Sequence, residues 1–280
     1  SFISFLAVLY KFIFRYKVIV DSWQNIFKKY SFPFSLFQKF ILKHSDIVNA
    51  GGNETIKVLR KKGYLKDIET TPLAYNPELF FPGPAPPHLV HQLRLKGIVI
   101  AYFGRLIKEK GVQFLVEALK DVDFDFTLII DDIGGDYTEE IKQTVIKYNL
   151  SEKVRYISPS HDLIPQYYKL VDILVLPTYT TESIKEQFGR VLVEAMASGV
   201  SVIGSDCGEI PYIIENAGLI FKEKDARDLK EKILTFVNNP ELRKQKIEEG
   251  IKRARALYST TGVAEIYLRQ IRKLLNKEGD

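Results

Sequence analysis

The residues best suited to chemistry fall in two short stretches. In the first, Gly104, Arg105, Lys108 and Lys110 follow an apolar run, IVIAYF at 98–103. A strand feeding a helix here would turn amide N–H groups and a partial positive charge toward a ligand. Gly104 leaves the backbone open to close approach. Arg105 can hold phosphate oxygens through two parallel bonds, with Lys110 as a second cation. The set reads as an anion cradle. It has neither the GxGxxG nor the GxxxxGK[ST] spacing, which disfavours the common dinucleotide and ATP loops. A surface loop with solvated cations is the alternative.

The second stretch is KEQFGRVLVEAMASG, residues 185–199. Glu186 precedes a helix, in the loop after a strand that ends near Pro177, and Gly189 sits at the turn into that helix. Glu194 lies within it among Val193, Ala195 and Met196, so it is expected to be part-buried. A carboxylate held there needs partners, because burying it alone is costly. Two ribose hydroxyls would serve, and a neighbouring cation is the alternative. Ala195, Ala197 and Gly199 would let the helix pack close to a sheet. Downstream, SDCGEIP at 205–211 places Gly208 in a tight turn. Cys207 reads as a small residue of an ordinary connection rather than a nucleophile.

These stretches need a scaffold, and the apolar pattern supplies one. Runs rich in β-branched residues at 98–103, 126–130, 153–157, 172–176, 200–204 and 218–221 read as strands buried on both faces. Helical stretches at 111–121, 138–148, 162–170, 189–198, 209–215 and 225–238 alternate with them. Repeated βα units of this kind imply a parallel, doubly wound sheet of Rossmann type. Upstream, helices are expected at 2–15, 34–44 and 53–62 and strands at 17–21, 46–49 and 68–71, as in part of a second α/β domain. Two further helices are expected at 240–257 and 261–276. The prolines of PGPAPP, 82–87, deny helix and ladder hydrogen bonds and mark a boundary. The expected division is 1–82 as a partial N-terminal domain, 83–96 as a proline-rich linker, 97–257 as a C-terminal Rossmann-like domain and 258–280 as a final helix.

The order of FGRL and KG, then EQFGRVLVEAMASG, then GEIP, then AGLIF, is similar to the retaining glycosyltransferases of family 4. The resemblance covers roughly 97–240 well and 17–82 more loosely. It implies the GT-B architecture of two Rossmann-like domains, the N-terminal one here lacking its start. It also implies transfer of a sugar from a nucleoside diphosphate sugar with retained configuration. On that resemblance Arg105 and Lys110, beside Gly104, contact the donor diphosphate. Glu186 lies by the donor sugar as the catalytic residue, and Glu194 binds the nucleotide ribose. Backbone groups of Gln187, Phe188 and Gly189 hold sugar hydroxyls. LAYNPELFFP, 73–82, resembles the family's interdomain strand, and the last helix resembles the one crossing back to the N-terminal domain. Three positions depart from the family pattern: DSWQN at 21–25 carries no histidine, DDIGGD at 131–136 stands where a GxG is usual, and Asn76 stands for an aspartate.

Composition narrows the partners. The net charge is +5 and the pI about 9.0, which favours anions. No basic stripe interleaved with aromatics is evident, so nucleic acid is not expected. One cysteine and four histidines without metal-ligand spacing give no expectation of a disulfide or a metal site. No cofactor is expected beyond the sugar nucleotide as co-substrate. The apolar run at 2–14 is interrupted by Lys11, too short to span a bilayer, and fits a helix of a domain whose beginning is absent. A cytoplasmic protein is expected. FKKYSFPFSLFQKF, 27–40, mixes aromatics with lysines and suggests peripheral membrane contact, with a core helix after an aromatic loop as the alternative. The acceptor is expected to be a glycan, a lipid or a small molecule. A non-catalytic nucleotide-sugar-binding protein and a GT-B relative such as a sugar-nucleotide epimerase are the rival readings.

Overall fold

The structure, a computed structural model, describes residues 2–276. Ser1 and residues 277–280, the outer ends of the spans 1–82 and 258–280, lie outside the described residues. The chain divides into two compact units, one formed by the segment up to Ala74 together with the segment from Thr260, the other by Tyr75–Ser259.

The first unit opens with α1 (Phe2–Phe14), β1 (Ile19–Ser22), α2 (Phe34–His44), β2 (Ile47–Ala50), α3 (Asn53–Lys61) and β3 (Ile68–Thr70). Its three strands pair in parallel in the order β1-β2-β3. The short apolar runs explain this. Val48 and Ala50 are buried against Leu59 and Tyr64, with Leu42, Ile56 and Ile68 packed around them. The segment 27–40 is partly packed and partly exposed. Phe37 stacks on Phe5 at 4.3 Å between ring centres, whereas Tyr30, Phe32, Phe34 and Leu36 are exposed.

The second unit contains α4 (Pro87–Leu93), β4 (Ile98–Tyr102), α5 (Val112–Leu119), β5 (Phe126–Asp131), α6 (Thr138–Lys147), β6 (Val154–Ile157) and α7 (Ile164–Tyr168). It continues with β7 (Ile173–Leu176), α8 (Arg190–Ala197), β8 (Ser201–Ser205), α9 (Ile210–Ile214), β9 (Gly218–Phe221), α10 (Ala226–Asn238) and α11 (Pro240–Tyr258). The six strands form a parallel sheet in the order β6-β5-β4-β7-β8-β9. In chain order this is the 3-2-1-4-5-6 arrangement of a Rossmann fold. β5, β7 and β8 are buried along their whole length, as apolar runs covered by helices on both faces require, with Asp131 at the end of β5 the one charged residue among them. The chain then enters α12 (Thr260–Asn276), which belongs to the first unit. There the fully buried Gln270 exchanges two amide hydrogen bonds with Asn49 of β2, at 2.9 and 3.1 Å.

Two expectations are corrected. The division falls after Ala74, ahead of the proline segment, and 83–96 is not an open linker. Pro87 starts α4, where a proline's missing N–H costs nothing, and Leu89 and Leu93 of that helix are buried. Residues 73–82 form no strand: Tyr75 makes a single bridge to Ser259, and the chain then turns, with the Asn76 side chain accepting the Glu78 N–H at 2.9 Å. The helix expected at 111–121, after Arg105 and Lys110, is present as α5. A 3-10 turn, Lys108–Lys110, precedes it, and it begins at Val112.

Among the described residues, no helix is long and apolar enough to cross a membrane.

Candidate functional site

β4 and β7 are neighbours although two βα units separate them in sequence, so the strand order reverses between them. Open α/β sheets bind ligands at the carboxyl ends of the strands beside such a reversal. The loop after β4 carries Gly104, Arg105 and Lys110, and the loop after β7 carries Thr178 and Glu186. These two loops meet. Lys110 Nζ lies 2.6 Å from Glu186 Oε2, and the Thr178 hydroxyl donates to the same oxygen at 3.2 Å. Gly111 makes the approach feasible. Its backbone is left-handed, and a Cβ there would stand 2.0 Å from the Pro177 carbonyl oxygen.

Burial by itself would raise the Glu186 carboxyl. The Lys110 ammonium and its hydrogen bond, the Thr178 hydroxyl and the Phe188 N–H outweigh it, and the net shift is downward. Glu186 is therefore held as a carboxylate. Arg105 is exposed, and among the described residues no carboxylate forms an ion pair with it. Its carbonyl accepts a 2.7 Å hydrogen bond from the buried Tyr102 hydroxyl, which fixes the turn that carries it. Gly104 is left-handed at φ 141, and a Cβ there would stand 3.0 Å from the Tyr102 hydroxyl. Gln187 is exposed. Phe188 is buried, its ring edge-on to Tyr258 at 5.6 Å. Gly189 is the left-handed N-cap of α8.

Glu194 is 7% exposed. Its partner is Tyr168, whose hydroxyl donates to Oε2 at 2.9 Å. No cation forms an ion pair with it among the described residues, so the neighbouring-cation expectation gives way to a buried phenol. Burial raises the Glu194 carboxyl, and the Tyr168 hydrogen bond and the charges of Arg190 and His161 offset only part of that. Tyr168 itself packs edge-on against Phe103 and Phe80.

The loop after β8 supports Glu186 from a third side. Gly208 is left-handed, and a Cβ there would lie 2.3 Å from the Glu186 carbonyl oxygen, so only glycine admits the contact. The Glu209 N–H donates to that same carbonyl at 3.1 Å. Cys207 is buried, and its sulfur accepts from the Glu186 N–H at 3.5 Å and the Thr180 hydroxyl at 3.4 Å. Burial pushes the thiol upward, the reverse of what a nucleophile needs.

One acid at the site escaped the sequence reading. Asp131 closes β5, is 3% exposed, and keeps Oδ1 without a hydrogen-bond partner. Burial raises it to about 6, against a lowering hydrogen bond from the Gly104 N–H. A charged residue ending the run FTLII was the available signal.

The chain is similar in sequence and in fold to known proteins. An uncharacterized glycosyltransferase of Methanocaldococcus jannaschii is 37% identical over 151 residues, covering 53% of this chain and 41% of the relative. The capsular polysaccharide biosynthesis glycosyltransferase CapM of Staphylococcus aureus is 28% identical over 176 residues, covering 61% of this chain and 44% of its own length. The matched stretches thus span less than half of these relatives. Among solved structures, Anabaena HepE in complex with UDP superposes with a TM-score of 0.83 at 18% identity, over 96% of this chain and 76% of that one. Sucrose-phosphate synthase of Thermosynechococcus elongatus gives 0.77 at 23% identity, over 98% and 72%. The two parallel sheets and these neighbours make the fold GT-B. The match to the family of glycosyl transferases group 1 runs over residues 89–253, more than half of the chain, and the chain belongs to that family.

Proposed function

We propose that this chain is the donor-binding part of a glycosyltransferase that moves a sugar from a nucleoside diphosphate sugar to an acceptor hydroxyl with retained configuration. The observation that carries the reading is the meeting of Lys110 and Glu186 at the strand-order reversal, beside the exposed Arg105. In the transfer, the bond between the anomeric carbon and the diphosphate oxygen breaks and its electron pair leaves with the diphosphate. Arg105 and Lys110 stabilise that growing negative charge, a preorganised electrostatic effect. The Glu186 carboxylate faces the positive charge developing at the sugar ring, with backbone groups of Gln187, Phe188 and Gly189 holding the sugar hydroxyls. The acceptor oxygen forms the new bond on the face the diphosphate leaves, and its proton passes to the departing diphosphate oxygen. Glu194 holds the nucleotide ribose through its remaining lone pairs, and Tyr168 keeps the carboxylate in place. HepE was solved with UDP, so uridine nucleotides are the first donors to try.

The test is turnover followed by proton NMR with UDP-, GDP- and ADP-sugars and glycan, lipid and small-molecule acceptors. A product whose anomeric coupling matches that of the donor supports the reading. An inverted product, or no turnover of any donor, contradicts it.

A further inference from the structure

In the first unit, six lysines that are scattered in sequence converge on two adjoining hollows. Lys28 and Lys29 come from the loop after β1, Lys39 and Lys43 from α2, and Lys62 and Lys66 from the residues after α3. The hollows measure about 310 and 270 Å³, and Lys39, Leu42 and Lys62 line both. No aspartate or glutamate lines either one, and Asp67, next to Lys66 in sequence, stays outside them. Among the described residues none of the six makes an ion pair. Lys62 is the most enclosed. Its ammonium donates to the side-chain oxygens of Gln24 and Gln38 and lies 4.9 Å from the Tyr30 ring centre. Its partners are thus neutral, and its charge is uncompensated. The local field can be read from His44. Burial first, and then the charges of Lys43, Lys11 and Lys66, push its imidazole below the ordinary value.

Like charges gathered without counterions repel and weaken the fold, so such a cluster calls for an anion. Ammonium groups bind phosphate as mobile point charges, each with three donors. We propose that these hollows bind a phosphate group, carried either by a soluble acceptor or by a lipid headgroup, with Lys39 and Lys62 at its centre. Nucleic acid fits less well. The basic surface is two short, open hollows rather than a long groove, and the surface beside them is apolar, with Phe32 79%, Phe34 54% and Leu36 53% exposed.

The site stands apart from the donor reading, and the test keeps the two separate by using the Arg105→Ala, Lys110→Ala background. Calorimetry with inorganic pyrophosphate and flotation with phosphatidylglycerol vesicles are run on that protein. The same measurements are run on Lys39→Gln with Lys62→Gln, and on Lys244→Gln with Lys252→Gln, which removes equal charge from α11. Circular dichroism checks that each folds. The expected result is binding of at least one probe, weakened at least about tenfold by the Lys39 and Lys62 changes and little by the α11 changes. Pyrophosphate binding alone marks a soluble ligand, and vesicle binding alone marks a headgroup. No binding of either probe, equal loss in both lysine variants, or binding confined to an added oligonucleotide overturns the proposal.

Discussion

Lys110 Nζ and Glu186 Oε2 stand 2.6 Å apart across 76 residues of sequence. The pair joins the loop after β4 to the loop after β7, and so ties the cationic and acidic halves of the site into one charge-balanced unit. Glu186→Gln keeps the shape and removes the charge. Transfer should fall at least about a hundredfold, while affinity for the nucleoside diphosphate holds or rises because Lys110 is released to it. Lys110→Ala should lower both. Equal losses of affinity in the two variants would contradict this division of roles.

The same pair predicts an acid limb in stability. Glu186 is depressed in the folded protein, so its stabilisation is complete above the ordinary value of 4.5 and is lost as pH falls through the lower folded value. Urea denaturation between pH 3 and 7 should show a shallower acid limb for Glu186→Gln. Superimposable curves would remove the argument.

Tyr168→Phe deletes the donor to Glu194 and leaves the carboxyl buried without it. Stability should drop by about 1–2 kcal/mol, and the carboxyl, already raised by burial, should titrate higher still. Carbon-detected NMR of the Glu194 carboxyl reads this directly. Nucleotide affinity should fall much further in Glu194→Ala than in Tyr168→Phe. The reverse order would place the ribose contact on the phenol.

Asp131 carries the opposite sign from Glu186. Its folded value of about 6 lies above the ordinary 3.8, so the folded state binds the extra proton and stability falls as pH rises through that window. Above it the cost is about 3 kcal/mol. Asp131→Asn should therefore match the parent protein near pH 3 and exceed it at pH 8 in thermal melts. Parallel melting curves across this range would count against it.

How far the sequence carries can be judged from these residues. The strands were legible because uncharged β-branched runs have one stable use in an α/β protein. The Lys110 and Glu186 loops were legible because each sits at the end of such a run. Their direct contact was not, since it depends on strand order, and β4 pairs with β7 rather than following it in sequence. Tyr168 was hidden for the same reason: α7 is a single short turn of helix, and only the packing brings its phenol beneath α8. Proline misled at α4, where Pro86 and Pro87 start a helix instead of preventing one. The lysine hollows were invisible because their six contributors span residues 28–66 and meet only through α2 and α3.

The central claim is that Arg105 and Lys110 hold a donor diphosphate at the reversal of strand order. Calorimetric titration of the chain with UDP, GDP and ADP and with their sugars tests it most directly. The account predicts that at least one of them binds, and that Arg105→Ala with Lys110→Ala weakens it by about a hundredfold or more. Binding by none of them, or binding unchanged in the double variant, would contradict it.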